Sequence, residues 1–238
     1  MDDIAVLIPC YNEETTIEKC VLDCRQALPD AKIYVYDNNS TDDTAFFAEN
    51  AGAIVRFTGE KGKGNVVRDM FHQIDADCYI IIDGDDTYDI SNISQMVSIV
   101  LNDKIDMVIG DRLSSTYFEE NKRPFHNFGN KLVSFLINHL FSSDYKFIDA
   151  MSGFRAFSRN FVKSMYVESN GFEIETEMDI WAINNNAKIA NIVVKYKDRS
   201  GDSFSKLNTI KDGFKIIKFM ISAKFKCLKT RRFLHEKN

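Results

Sequence analysis

The chain has 238 residues, of which 45% are hydrophobic and 27% are charged, and its formal net charge is −5 at pH 7. This length and composition suit a folded protein with one α/β domain or, at most, two small domains. The acidic balance argues against a general nucleic-acid-binding protein, and no apolar run approaches the roughly 20 residues that a membrane-spanning helix needs.

The first half of the sequence alternates short apolar runs with helical patterns. Strands are predicted at residues 4–8, 33–36, 54–57, 79–82 and 107–109, and helices at 13–27, 41–50, 64–74 and 91–101. This alternation predicts right-handed β-α-β units, and therefore an α/β fold whose mainly parallel sheet is covered by helices on both faces.

Three polar segments follow strands of this predicted sheet. Residues 9–13 (Pro-Cys-Tyr-Asn-Glu) follow the first strand, residues 37–40 (Asp-Asn-Asn-Ser) the second, and residues 83–86 (Asp-Gly-Asp-Asp) the fourth. Ligands of open parallel sheets bind at the carboxyl ends of the strands. We therefore expect the three segments to form one site.

Asp83, Asp85 and Asp86 place three carboxylates directly after a buried strand. Crowded carboxylates repel one another unless a cation joins them, and Mg²⁺ or Mn²⁺ suits oxygen ligands that water and substrate phosphates complete. Such a metal neutralises the charge on a departing nucleoside diphosphate. An acidic turn that caps the next helix is the alternative interpretation.

Two further segments offer groups for a nucleotide. Asp37 and Asn38 suit a nucleobase and ribose, and they equally suit a turn before the next helix. Residues 61–64 (Lys-Gly-Lys-Gly) precede a helix and place two cations, one of them Lys63, and backbone N–H groups near a diphosphate.

The second half of the sequence is less regular. Helices are predicted at residues 125–141 and 172–184, a strand at 189–196, and a loop leading into a strand at 149–155. Candidate phosphate ligands lie directly after the strand at 107–109, in the loop at 149–155 and in the polar loop from residue 199. Arg grips phosphate bidentately and Lys acts as a point charge, although each cation alone also suits a surface position. These candidates are Arg112, Arg155, Arg199, Ser205 and Lys206.

From residue 210 onward the sequence changes character. Residues 211–238 hold nine Lys or Arg residues against two acidic ones, with apolar residues between them at helical spacing. We expect residues 1–209 to form the domain and residues 210–238 a basic amphipathic helix that holds a cytoplasmic protein peripherally on the inner face of the membrane. A terminal helix docked on the domain, with its charged face in solvent, is the alternative.

Taken in order, these motifs resemble those of the family 2 glycosyltransferases with the GT-A fold, and in particular the group similar to dolichyl-phosphate mannose synthase. The resemblance runs from residue 4 to about residue 207. The matching segments are residues 8–13 (P-x-Y-N-E), 37–42 (D-D-G-S-x-D), 83–85 (D-x-D), 149–155 (D-x-x-S-G-F-R), 171–175 (G-[FY]-x-x-E) and 199–207 (R-x-x-G-x-S-K-L). Two segments depart from the pattern: Asn38 replaces an aspartate, and residues 199–207 form a longer loop.

The resemblance implies transfer of a hexose, with inversion, from a UDP-hexose such as UDP-Glc or UDP-GlcNAc, or from GDP-Man, to an undecaprenyl or dolichyl phosphate. The implied metal ligands are Asp83 and Asp85, with Mg²⁺ or Mn²⁺ as the cofactor. The nucleotide-sugar ligands are then Pro9, Tyr11, Glu13, Asp37, Asn38, Lys63, Asp83, Arg199 and Lys206, and the catalytic set is Asp85, Arg112, Arg155 and Glu175.

The nature of the acceptor decides whether a base is needed. A phosphate monoester with a second pKa of about 6 is mostly dianionic at neutral pH and attacks without a protein base. A saccharide hydroxyl, as in cell-surface polysaccharide synthesis, is the alternative acceptor and requires a base, for which Glu175, Glu177 and Asp179 are candidates. A nucleotidyltransferase and a non-enzymatic membrane scaffold are rival classes.

Overall fold

A computed structural model describes residues 2–115, 117, 124–197, 199 and 206–235, with side chains for these except at 124–127 and 227–235. The strands in these ranges are β1 (Ile4–Cys10), β2 (Lys32–Asp37), β3 (Ile54–Phe57), β4 (Cys78–Ile81), β5 (Met107–Asp111), β6 (Arg155–Ser158) and β7 (Ile189–Val193). The helices are α1 (Ile17–Ala27), α2 (Thr44–Asn50), α3 (Lys63–Gln73), α4 (Ile93–Leu101), α5 (Pro124–Leu140), α6 (Arg159–Ser164), α7 (Ile174–Asn184) and α8 (Thr209–His235).

The strands form one sheet in the order β3-β2-β1-β4-β6-β5-β7. Every neighbouring pair is parallel except the two that involve β6, which runs antiparallel to both β4 and β5. The predicted α/β fold with a mainly parallel sheet is confirmed, whereas the antiparallel direction of β6 was not predicted.

The reversed direction of β6 matters for the site. Arg155, the first residue of β6, lies opposite Ile81 near the carboxyl end of β4 and opposite Ile109 of β5. The segment that enters β6 therefore reaches the same edge of the sheet as the residues that leave β4. This geometry brings residues 149–154 beside Asp83, although the two lie far apart in sequence.

The core has one layer on each face of the sheet. In β1, Ala5 and Leu7 pack in one layer, with α3 and α7, while Val6 and Ile8 pack in the other, with α1 and α4. Central strands that are buried on both faces read as continuous apolar runs rather than as alternating patterns, which is why residues 4–8 and 79–82 were recognisable in the sequence.

The C-terminal helix α8 packs on the domain. Ile216 and Met220 are buried in the same core layer as Val133 and Ile137 of α5. Within the described ranges, the structure contains no helix whose length and hydropathy suffice to cross a membrane. The side chains of the polybasic segment that includes Lys229, Arg231 and Arg232, and the whole of Lys237, lie outside the described residues.

Candidate active site

The first two polar segments are bonded to each other at the ends of β1 and β2. Asn12 takes a φ of 53°, a left-handed conformation that asparagine tolerates. Its Oδ1 accepts a hydrogen bond of 2.8 Å from the backbone N–H of Thr41, and the N–H of Glu13 donates to Oγ1 of Thr44 at 2.8 Å. The turn after β1 is thus fixed by the turn after β2, which orients Tyr11 and Glu13 at the sheet edge.

Lys63 joins two carboxylates that the sequence separates widely. Its ammonium lies 2.6 Å from Oδ1 of Asp83 and 2.6 Å from Oε1 of Glu175. Burial acts to lower the pKa of Lys63, but the two carboxylates outweigh it and raise that pKa. Burial likewise acts to raise the pKa of Asp83, and the Lys63 charge outweighs it, so that this carboxyl is held below its ordinary pKa. Both groups are therefore charged at neutral pH.

Asp85 has a different set of partners. Oδ1 accepts hydrogen bonds from the hydroxyl of Thr87 at 2.6 Å and from its backbone N–H at 3.2 Å, while Oδ2 forms an ion pair with Arg199. Burial and the neighbouring charge of Asp83 raise the pKa of Asp85. Asp86 turns away from this pair and meets Lys19 at 3.0 Å and Lys197 at 3.4 Å, both of which are exposed.

Lys206 reaches back to the turn after β1. Its ammonium donates to the carbonyl of Asn12 at 2.9 Å and lies 3.5 Å from Oε1 of Glu13. Burial raises the pKa of Glu13 to about 7, against the opposing charge of Lys206. Ser205, which was predicted to act with Lys206, lies outside the described residues, as do residues 200–204.

The loop that enters β6 approaches Asp83 closely at Gly153. A Cβ built on Gly153 would lie 2.2 Å from Oδ2 of Asp83 and 2.8 Å from its Cγ. The backbone N–H of Gly153 donates to the hydroxyl of Tyr88 at 2.8 Å, which fixes the loop in place. Glycine at this position therefore leaves the space that the Asp83 carboxylate occupies.

Arg112 and Arg155 are hydrogen-bonded to residues of this loop. Arg112 donates to both oxygens of Asp149, at 2.7 and 2.8 Å, and its guanidinium lies 5.3–6.0 Å from the ring centres of three tyrosines, Tyr88, Tyr117 and Tyr196. Arg155 is 0% exposed and pairs with Asp179 at 2.5 Å. It also donates to the carbonyls of Ala150 and Ser152.

The structure accordingly does not place these two arginines where the sequence analysis expected them. Arg155 has no exposed surface with which to contact a phosphate. Arg112 is buried against Asp149 and does not line the pocket that Asp83 and Asp85 share. Arg155 lies opposite Ile81 and Ile109, which belong to the core layer that packs against α7, and its side chain is buried with Asp179 of that helix. The motif at 149–155 marked this segment as important, but nothing in the sequence identified Asp149 and Asp179 as the arginine partners.

The side chains of Asp37 and Asn38 form hydrogen bonds with backbone groups around the site. Oδ1 of Asp37 accepts from the N–H of Ser40 at 2.9 Å. The Asn38 amide accepts from the N–H of Gly62 at 2.7 Å and donates to the carbonyl of Glu60 at 2.8 Å. The amide that replaces the aspartate of the family pattern thus ties down the segment before α3, and its polar atoms are already used.

The glycines of residues 61–64 have a packing role. A Cβ on Gly62 would lie 2.1 Å from the carbonyl oxygen of Asn170, and one on Gly64 would lie 2.3 Å from that of Ser169. The N–H of Gly64 donates to the carbonyls of Asn170 and Gly171. This N–H group is therefore directed at residues 170–171 rather than at a diphosphate, contrary to the prediction, whereas Lys63 does face the aspartates.

Most of the predicted ligands line one pocket of about 320 Å³ at the carboxyl ends of β1, β2 and β4. These are Pro9, Tyr11, Glu13, Asn38, Lys63, Asp83, Asp85, Arg199 and Lys206. Asp37, Arg112, Arg155 and Glu175 lie outside this lining. Lys61, the other cation of residues 61–64, belongs to it, as does Phe172, which was not predicted as a ligand.

The pocket offers carboxylate oxygens for a divalent metal. In the described part of the chain, no group of three His, Cys, Asp or Glu side chains comes together to form a complete cage. Mg²⁺ is usually bound by one or two carboxylates together with waters and substrate phosphates, so a complete protein cage is not needed. Asp83 and Asp85 therefore fit a metal that is bound together with a phosphate-bearing ligand.

Comparisons with known proteins identify the family of the chain. A family model described as glycosyl transferase family 2 matches residues 5–165. Glycosyltransferase AglJ of Haloferax volcanii is 33% identical over 213 residues, which cover 89% of this chain and 69% of AglJ. The dolichyl-phosphate hexose transferase of the same organism is 27% identical over 231 residues, which cover 97% of this chain and 96% of that relative.

A solved structure has the same fold. Glucosyl-3-phosphoglycerate synthase from Mycobacterium tuberculosis, crystallised with Mn²⁺, uridine-diphosphate-glucose and phosphoglyceric acid, matches with a TM-score of 0.69 at 20% sequence identity. The match covers 94% of this chain and 80% of that one. It confirms the GT-A architecture that the motifs imply.

Proposed function

The chain belongs to glycosyl transferase family 2, and we propose that it transfers a hexose from a UDP-sugar to a polyprenyl phosphate at a membrane surface. The observation that carries this proposal is the convergence of Asp83 and Asp85 with Lys63, Arg199 and Lys206 in one pocket. Carboxylates that bind a metal, next to cations that bind phosphate, are the groups needed to hold a nucleoside diphosphate and to stabilise it as it leaves.

The donor side of the proposal assigns a role to each group. Asp83 and Asp85 would hold Mg²⁺ or Mn²⁺, which supplies positive charge to the departing diphosphate. Lys63 and Arg199, which neutralise these aspartates in the structure, would exchange their carboxylate partners for phosphate oxygens. A UDP-sugar is favoured because the solved relative was crystallised with uridine-diphosphate-glucose.

The acceptor side rests on the environment of Glu175. This carboxylate is the candidate base, yet it is buried, paired with Lys63, and absent from the lining of the pocket. A phosphate acceptor needs no base, because with a second pKa of about 6 it is mostly dianionic at neutral pH and has no proton to lose. Its oxygen forms the bond to the anomeric carbon as the bond to the nucleoside diphosphate breaks. The dolichyl-phosphate hexose transferase, which matches along nearly its whole length, supports the same class of acceptor.

One observation favours a saccharide hydroxyl as a second candidate acceptor. Among the described residues, Oε2 of Glu175 has no hydrogen-bond partner, although it is buried. A hydroxyl that reached this oxygen would meet a base. Glu175→Gln would then abolish transfer to hydroxyl acceptors and spare transfer to a lipid phosphate.

The test of the proposal is direct. The protein is incubated with Mg²⁺ or Mn²⁺, a panel of radiolabelled UDP- and GDP-sugars, and undecaprenyl or dolichyl phosphate, and the label in the lipid fraction is measured. We expect labelled lipid from a UDP-hexose, and no product after chelation of the metal. Absence of labelled lipid with every donor would refute the function.

Membrane attachment through α8 is a further part of the proposal. Ile210, Phe214, Ile221 and Phe225 lie on one face of the helix and are 47–82% exposed, while Ile216 and Met220 anchor the opposite face in the core. Exposed lysines, Lys211, Lys215 and Lys218 among them, flank the apolar face, as expected for a helix that lies on anionic lipid.

Flotation with phosphatidylglycerol vesicles tests this attachment. Phe214→Ser combined with Phe225→Ser should weaken binding strongly, because burial of each phenylalanine is worth about 1.5–3 kcal/mol. The matched control is Phe46→Ser, which removes a phenylalanine that is 59% exposed on α2. Unchanged flotation of the double variant would refute the membrane role.

A further inference from the structure

A second and larger cleft, of about 1190 Å³, adjoins the pocket that holds the aspartates. The two cavities share Lys61, Gly62, Lys63, Phe172 and Lys206 in their linings. A ligand bound in the larger cleft therefore has direct access to the end of the smaller one. Any group placed at this shared end lies beside the ammonium that contacts Asp83.

Two helices form the walls of the larger cleft. On α7 the lining residues include Glu177, Trp181 and Asn184, and on α8 they include Lys215, Phe219, Ser222 and Lys226. Spacings of three or four residues place side chains on one face of a helix. The eleven-residue step from Lys215 to Lys226 makes the trough about 16 Å long at the 1.5 Å rise of an α-helix.

The lining combines an apolar interior with cations. Phe141 and Ile180 are buried, Trp181 and Phe219 are partly exposed, and Tyr166 is 73% exposed. A concave trough that exposes apolar side chains among polar and charged ones suits a ligand with both an apolar chain and a polar head group.

The charges of the cleft favour an anionic head group. Six lysines and four carboxylates belong to its lining, and two of these lysines are paired within it, Lys215 with Asp212 at 3.2 Å and Lys226 with Glu168 at 2.5 Å. Glu177 accepts hydrogen bonds from the backbone N–H groups of Glu168 and Ser169, so this carboxylate stabilises the protein backbone. Lys63 and Lys206 stand at the end that opens to the aspartates.

We propose that this cleft binds the acceptor, with the phosphate of a polyprenyl phosphate at Lys206 and Lys63 and its isoprenoid chain along Trp181 and Phe219. The Lys63 ammonium, which lines both cavities, then lies between the acceptor phosphate and the donor diphosphate. The inference rests on the proposed function for the class of acceptor. Its location follows from the continuity of the two cavities and from the apolar trough between α7 and α8. Bound in this way, the phosphate is adjacent to the donor pocket while the chain leads away from it.

Trp181 is the single tryptophan of the chain, so its fluorescence reports directly on the cleft. The probe is farnesyl phosphate, titrated below its micelle concentration. We expect a saturable change in emission with farnesyl phosphate. Farnesol and inorganic phosphate should bind at least about tenfold more weakly, because one lacks the charge and the other lacks the apolar chain. Equal responses to farnesyl phosphate and farnesol would overturn the placement of the phosphate at the two lysines.

A matched pair of substitutions tests the same site in the transfer reaction. Ser222→Phe fills the trough from an exposed position on α8, whereas Ser98→Phe makes the same change at an exposed position on α4, which packs on the opposite face of the sheet. We expect Ser222→Phe to raise the KM for polyprenyl phosphate about tenfold, as for overpacking a binding site, and to leave the KM for the nucleotide sugar unchanged. Ser98→Phe should alter neither constant.

The outcomes separate this inference from the proposed function. Transfer to polyprenyl phosphate that is insensitive to Ser222→Phe would overturn the cleft and leave the function standing. If no sugar is transferred at all, the function fails, and the fluorescence titration still decides the cleft because it needs no turnover. An equal change in Trp181 emission with phosphatidylglycerol vesicles that lack farnesyl phosphate would overturn the inference, since the trough would then be a membrane-facing surface.

Discussion

Replacing Gly153 by alanine would add one methyl group directly against the carboxylate of Asp83. The new Cβ would lie 2.2 Å from Oδ2 and 3.0 Å from Oδ1. The closest ordinary contact between carbon and oxygen is about 3.3 Å, so the carboxylate must move by about 1 Å. Its other partner, Lys63, lies 2.6 Å from Oδ1, and this ion pair has to move with it or break.

The expected loss of activity follows from that displacement. Misplacing a catalytic group by 1 Å costs on the order of 100-fold in rate, which corresponds to about 2.7 kcal/mol of transition-state stabilisation. The φ of Gly153 is not positive, so alanine brings no backbone strain there. We therefore expect kcat/KM for the nucleotide sugar to fall about 100-fold in Gly153→Ala, while the free energy of unfolding falls by about 1–3 kcal/mol, as for other overpacked sites, and the protein stays folded.

Release of nucleoside diphosphate, measured over a range of Mn²⁺ concentrations, tests this expectation, with urea denaturation as the measure of folding. The control is Gly59→Ala, because a Cβ at Gly59 meets no atom within 4 Å. Wild-type kcat/KM and metal dependence in Gly153→Ala would show that the position of the Asp83 carboxylate does not limit the reaction. Equal losses in both variants would show that the effect is not specific to that contact.

Three other experiments test the groups around the site. Arg155→Met leaves Asp179 buried without its partner and should lower the free energy of unfolding in urea by about 3–5 kcal/mol. Adding Asp179→Leu removes the unpaired carboxylate and should recover much of that lost free energy. A double variant that is no more stable than Arg155→Met would contradict the assigned pairing. Asn38→Asp places a carboxylate oxygen against the carbonyl of Glu60, so it should lower the free energy of unfolding by about 1–3 kcal/mol in the same assay. It should also raise the KM for the nucleotide sugar. Unchanged values of both would contradict the role given to the amide. Burial raises the pKa of Glu13 from 4.5 to about 7, so the stability contributed by its neutral form is fully present below pH 4.5 and is lost as the pH rises through 7. Glu13→Gln should flatten that part of the pH dependence of unfolding, and a slope equal to that of the wild type would contradict the shifted pKa.

Local patterns in the sequence predicted much of the fold. Residues 4–8 and 79–82 are continuous apolar runs because their strands are buried on both faces, and each is followed by a polar segment at the strand end. The order of strands and helices then placed these segments at one edge of a parallel sheet. Hence Glu13, Asn38 and Asp83 could be assigned to one site before any contact between them was known.

The direction of β6 could not be predicted in the same way. Arg155–Ser158 is a short strand, and its residues suit a parallel or an antiparallel neighbour equally well. Its direction depends on the path of the preceding chain, which no local pattern records. The path and register of this segment placed Arg155 in the core and Gly153 against Asp83.

The sequence by itself determined the family, the α/β architecture and the acidic and basic groups that the site contains, because strand periodicity and motif spacing are local properties of the chain. Only the tertiary structure decided which charge meets which. Lys63 lies between Asp83 and Glu175, while Arg199 pairs with Asp85. Ion pairs between residues this far apart in sequence depend on the packing of whole elements, so they leave no pattern in the sequence that local reasoning can find.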